Sequence, residues 1–109
     1  MIKVLFICHG NICRSAAAEY IFKDLAGKAG LAEEFYIESA ATSREELGND
    51  IYPPAKRCLT AHGVPFAVHR ARQITKADIS RFKRLIKACR TFDAYAEIDK
   101  IKCPVTVIS

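Results

Sequence analysis

No apolar run in this 109-residue chain approaches the roughly 18 residues that a membrane span requires. The opening Met1-Ile2-Lys3-Val4-Leu5-Phe6-Ile7 is too short for a secretory signal and carries no small-residue cleavage pattern. There is no Cys-x-x-Cys pair and no paired histidine spacing, which argues against a zinc site. No internal repeat or low-complexity linker interrupts the chain. Half of its residues are hydrophobic and 27% are charged, which is not the composition of a disordered tail. A soluble, cytoplasmic globule is therefore expected, one domain over residues 1–109 with enough bulk for a single core.

Cysteine is plentiful by comparison. The five are Cys8, Cys13, Cys58, Cys89 and Cys103, an odd number that fits a reducing compartment. Some should fill core space, and at least one is available for chemistry. Charge is unevenly spread: 17 basic and 12 acidic side chains give a net +5, with the positive excess in residues 51–109. Arg70, Arg72, Lys76, Arg81, Lys83, Arg84, Lys87 and Arg90 form a basic run broken only by Asp78. It reads as a solvated helix face, or as an attraction for an anionic partner. By itself it is a weak basis for a nucleic-acid partner.

Hydrophobic patterning gives the element order. Ile2 to Ile7 is a nearly unbroken run ended by His9-Gly10-Asn11, the mark of a central parallel strand buried on both faces. Ser15 opens a helix on which Ala18, Ile21, Phe22, Leu25 and Ala29 share a face, with Gly27 and Gly30 at its exit. Phe35 to Ala40 is a second strand, and Ala41 to Ile51 a polar loop. Pro53 starts another helix that Gly63 ends. Thr75-x-x-Asp78 has the form of a capping box, predicting a basic helix to about Arg90, and Val105 to Ile108 is a last strand. This order is that of an α/β domain with a small parallel sheet. Ligands of such sheets sit at the carboxyl ends of the strands, which directs attention to residues 7–15.

That junction reads Cys8-His9-Gly10-Asn11-Ile12-Cys13-Arg14-Ser15. The bare pattern of Cys, five residues, Arg and Ser shares the false-positive risk of any short motif, but its context strengthens it. Gly10 and Asn11 tolerate left-handed backbone, and a helix starts at the Arg-Ser end. A short loop curling into a helix N-terminus aims successive N–H groups at one point, and the helix dipole adds positive charge there. Arg14 offers a planar fork matched to phosphate oxygens. The same field favours thiolate at Cys8, and Ser15 can donate a hydrogen bond to that sulfur. The loop thus binds a tetrahedral oxyanion with a nucleophile beneath it.

The sequence resembles the low-molecular-weight protein-tyrosine phosphatases, whose signature is this Cys-x5-Arg-Ser loop near the N-terminus. The likeness extends through Ile37-Glu38-Ser39-Ala40-Ala41-Thr42-Ser43, Tyr52-Pro53-Pro54-Ala55, His62-Gly63-Val64-Pro65 and Ala71-Arg72-Gln73-Ile74-Thr75-Lys76-Ala77-Asp78, over about residues 1–82. It implies a three-layer sandwich around a small central parallel sheet, of the flavodoxin-like phosphatase type. It implies hydrolysis of phosphotyrosine, in a protein or a small aryl phosphate, with no metal and no cofactor and with inorganic phosphate as product or inhibitor. Cys8 would form a phosphocysteine. His9, Gly10, Asn11, Ile12, Cys13 and Arg14 would hold the phosphoryl oxygens, with Arg14 catalytic. Ser15 would stabilise the Cys8 thiolate. Ser39 and His62 would support the loop by hydrogen-bonding Asn11. Cys13 would pair reversibly with Cys8 under oxidation. Thr42 to Glu46 would form part of the rim.

Two family features are missing from the pattern. The strand segment expected after Phe82 is replaced by Lys83-Arg84-Leu85-Ile86-Lys87-Ala88-Cys89-Arg90. The family's Asp-Pro loop, whose Asp protonates the leaving phenolate, has no counterpart, because the chain contains no Asp-Pro at all. Asp93, Glu97 and Asp99 are the only carboxylates of the tail. Activity is therefore expected to be reduced, as for a domain truncated or altered after residue 82. Two alternatives stay open: a non-catalytic phosphate- or phosphoprotein-binding module, and a thiol-coupled arsenate reductase using Cys89 and Cys103.

Overall fold

The apolar run at the N-terminus forms strand β1 (Ile2–Cys8), in which Val4 through Cys8 are all buried. Such a strand needs hydrogen-bonded partners on both edges. Strand β2 (Phe35–Ala41) takes one edge and β3 (Arg84–Lys87) the other, both parallel to β1. A fourth strand, β4 (Thr106–Ile108), completes the order β2-β1-β3-β4. The structure is a computed structural model that describes residues 1–82, 84–87 and 106–108.

Two expectations are corrected here. β4 runs antiparallel to β3, so the parallel core of the sheet carries one reversed strand. Mixed sheets of this kind are common. The basic helix does begin at the capping box, but it spans only Lys76–Arg81. Phe82 then turns extended and is buried beside Leu5, Ile7 and Ala40. Residues 84–87 follow as β3, because the free edge of β1 offers a ladder of hydrogen bonds that a helix would leave unmade. The strand expected from the family after Phe82 is thus present despite its unfamiliar sequence.

Helix α1 (Arg14–Lys28) lies against one face of the sheet, where Ala18 and Phe22 pack on Val4, Phe6 and Ile37. Its other side carries Ala16 and Ala17, small enough to admit α2 (Pro53–Ala61), and Ile21, which packs with Ile51, Ala55 and Leu59. Being wedged between two partners rotates α1 off the simple face read from its periodicity, and Leu25 is half exposed while Ala26 is buried. On the opposite face of the sheet, Ile74 and Phe82 flank α3 (Lys76–Arg81) and cover Leu5, Ile7 and Ala40. The result is the expected α/β sandwich of three layers. Among the described residues no helix is long and apolar enough to cross a membrane.

Candidate active site

Cys8 is the last residue of β1, paired with Ala41, and the chain beyond it leaves the sheet to form the loop that ends at Arg14. Three ties hold the start of this loop to the segment after β2, one of them the Ser43 N–H donating to the His9 carbonyl at 3.1 Å. The Thr42 N–H donates to the Cys8 carbonyl at 2.9 Å, and the Ser43 hydroxyl to the His9 carbonyl at 2.9 Å. At the far end the Tyr52 N–H donates to the Ile12 carbonyl at 2.7 Å.

Asn11 sets the shape between them. Its φ of 59° is left-handed, a conformation that Asn tolerates better than most residues, and no other non-glycine residue among those described shares a positive φ. The residue is fully buried, so its polar groups must find partners within the fold. Nδ2 donates to Ser15 Oγ at 2.8 Å, and Oδ1 accepts from the Arg72 N–H at 3.1 Å. The Asn11 carbonyl lies 2.6 Å from His69 Nε2. Since a carbonyl only accepts, Nε2 carries the imidazole proton.

The Cys8 sulfur sits inside this curl. The N–H groups of Asn11 and Ser15 point at Sγ from 3.3 and 3.4 Å, and Ser15 Oγ is 3.1 Å away. Because Ser15 Oγ already accepts from Asn11, its own proton is available to a sulfur anion. Arg14 begins the 15-residue α1, whose first turn contains no acidic residue to neutralise its N-terminal N–H groups. The Arg14 Nε is buried with no hydrogen-bond partner among the described residues. An unpaired buried donor is costly by itself and favours an acceptor beside it. Cys13 differs from Cys8: burial first, and then the neighbouring Cys8, push its thiol up to about 11. At neutral pH Cys13 is a protonated thiol.

Residues 8–14 line a pocket of about 320 Å³ together with Glu45, Glu46 and Tyr52. Glu46 lies across Gly10, where even a Cβ would come within 3.3 Å of its Cγ. Glu45 pairs with His9 at 2.9 Å in a solvent-exposed contact.

The loop residues and Ser15 stand together as the sequence predicts, but both supporting residues are corrected. Ser39 donates to Glu19 Oε1 at 2.5 Å, so it braces α1 instead of Asn11. His62 caps the end of α2, and the histidine on Asn11 is His69. No local pattern separates the two histidines, because the choice depends on how residues 64–73 cross the loop. Asp50 fixes that crossing by accepting from the His69 N–H at 3.0 Å and Lys56 Nζ at 2.6 Å. Lys56 foremost, with the N–H groups of His69 and Ile51, holds the Asp50 carboxyl well below the usual range. Arg72, Asp50 and Tyr52 were also invisible to sequence reasoning as site residues. Cys89, Cys103, Asp93, Glu97 and Asp99 lie outside the described residues.

The family model described as low molecular weight phosphotyrosine protein phosphatase matches residues 3–101. The chain belongs to this family. The match reaches well past residue 82, where the sequence likeness fades. The human low molecular weight phosphotyrosine protein phosphatase is 43% identical over 84 residues, covering 77% of this chain and 52% of the human protein. The crystal structure of YfkJ from Bacillus subtilis superposes with a TM-score of 0.75 at 40% identity, covering 78% of this chain and 54% of that one. A tyrosine phosphatase structure from Entamoeba histolytica reaches a TM-score of 0.77 at 28% identity, over 95% of this chain and 64% of that one. The chain spans about half the length of the curated relatives it matches.

Proposed function

We propose that this chain hydrolyses phosphotyrosine, or small aryl phosphates, through a phosphocysteine on Cys8. The observation that carries the reading is the convergence of the Asn11 and Ser15 N–H groups and the Ser15 hydroxyl on Cys8 Sγ, at the floor of a pocket that includes Arg14. A sulfur anion there attacks phosphorus, the S–P bond forms, and the bond to the phenolic oxygen breaks. Arg14 and the loop N–H groups hold the three non-bridging oxygens, whose charge grows in the transition state. Water then attacks the phosphocysteine and releases inorganic phosphate, while the S–P electron pair returns to Cys8. The Ser15 hydroxyl, free to donate, steadies that returning anion.

These 109 residues contain no Asp-Pro whose carboxyl could protonate the leaving phenolate. A general acid is worth about 10²–10⁴-fold, and more for poor leaving groups. Turnover should therefore depend steeply on leaving-group acidity: p-nitrophenyl phosphate is cleaved much faster than phenyl phosphate. Steady-state kinetics on the two esters tests this, with Cys8→Ser abolishing both rates while still binding inorganic phosphate. Turnover that survives Cys8→Ser would overturn the mechanism.

The missing Asp-Pro also favours a second reading, a phosphate- or phosphoprotein-binding module without catalysis. Phosphate binding with no turnover of even p-nitrophenyl phosphate selects it.

A further inference from the structure

We propose that Tyr52 recognises the ring of the aryl phosphate and so sets the preference of this pocket for aryl over alkyl esters. The inference deepens the phosphate-site reading above and rests on it. The loop supplies what a phosphoryl group needs, namely N–H donors and a guanidinium, and its one ring, the His9 imidazole, is held by Glu45. Three lining residues come from elsewhere: Glu45, Glu46 and Tyr52. The two carboxylates repel a phosphate dianion and are already engaged, Glu45 by His9 and Glu46 by the Asn49 amide at 2.6 Å. Tyr52 is neutral, and it supplies the only phenyl or phenol ring among the described lining residues.

Its ring is presented from an anchored backbone. The Tyr52 N–H is bonded to the Ile12 carbonyl, so the residue cannot drift from the loop. Pro53 and Pro54 follow it in the first turn of α2, and proline fixes the backbone there. On its other side Ile51 is buried in the core shared by α1 and α2. Between these anchors Tyr52 itself stays 49% exposed, and no ring contact involves it among the described residues. An aromatic side chain carried on a fixed backbone and exposed to water, beside an anion cradle, has a face available for a planar substrate. Tyr52 stands at the Ile12 side of the loop and Glu46 at the Gly10 side, so a ring entering phosphate-first meets an uncharged side at Tyr52 and a carboxylate at Glu46.

Calorimetric titration of the Cys8→Ser chain with phosphotyrosine, phosphoserine and inorganic phosphate tests the assignment without turnover. Tyr52→Ala should weaken phosphotyrosine about 3- to 10-fold, the range for loss of one aromatic pair, and leave the other two ligands unchanged. Tyr52→Phe should behave as the parent, since the ring and not the hydroxyl is used. If Tyr52→Ala loses its fold, Tyr52→Leu fills the same space without a flat face and should give the same selective loss. Equal weakening of all three ligands would mark Tyr52 as a support for the loop and overturn the proposal, as would unchanged phosphotyrosine affinity. Failure of the parent to bind inorganic phosphate at all would instead bring down the phosphate-site reading itself.

Discussion

Asn11 is the residue on which the loop geometry turns, with its N–H, side-chain amide and carbonyl all committed to different parts of the fold. Asn11→Ala deletes two buried side-chain hydrogen bonds and puts a residue with no amide into left-handed backbone. At about 1 kcal/mol per bond and 1–2 for the conformation, it should cost about 3–4 kcal/mol in denaturant unfolding. His69→Ala removes one bond to a buried carbonyl, so about 1–3 kcal/mol is expected, together with weaker phosphate binding. Cys13 gives a prediction of another kind. With its thiol held up to about 11, first by burial, its alkylation by iodoacetamide should rise about tenfold per pH unit through the alkaline range, read by mass spectrometry of its peptide. A plateau near neutrality would contradict that environment. Cys8, Arg14 and Ser15 were legible in the sequence because they lie in eight contiguous residues between a strand and a helix. His69 and Arg72 were not, because their role comes from a chain crossing 58 and 61 positions away from Asn11.

At the scale of elements, the same contrast separates helix starts from helix ends. The start of α3 was readable: Thr75 accepts from the Asp78 N–H while Asp78 accepts from Thr75, the reciprocal capping box. Its end at Arg81 was not, since the cause is the open edge of β1 and not any residue in α3. Asp78 also receives both nitrogens of the Arg72 fork, at 2.8 and 3.1 Å. Burial opposes ionisation of Asp78, but the bonds from Arg72 and Thr75 outweigh it and lower its pKa. Stability from Asp78 is thus present above the ordinary carboxylate value near 4 and is lost as pH falls through the lower folded value. Asp50 follows the same sign. Acid titration of the fold by circular dichroism should show the loss below about pH 4, and Asp78→Asn should flatten part of it. The substitution itself should cost about 1–2 kcal/mol, a modest figure because the Arg72 side chain is a third exposed.

For the whole molecule, the three layers followed from the alternation of strand-like and helix-like segments, and the central place of β1 from its unbroken apolar run. What the sequence hid was the reversed direction of β4 and the strand character of residues 84–87, both decided by long-range pairing. Ligand linkage supplies the test at this scale. Inorganic phosphate at about 100 times its dissociation constant should stabilise the fold by about 2.7 kcal/mol, raising the melting temperature by several degrees. Arg14→Ala should abolish most of that rise in the same thermal scan. The dependence of Asn11 on residues 69 and 72 has a consequence for biosynthesis. A nascent chain emerging from the ribosome exposes its cysteine and arginine early, yet the anion cradle cannot lock until some sixty further residues have been made. The cysteine is translated long before the residues that close around it.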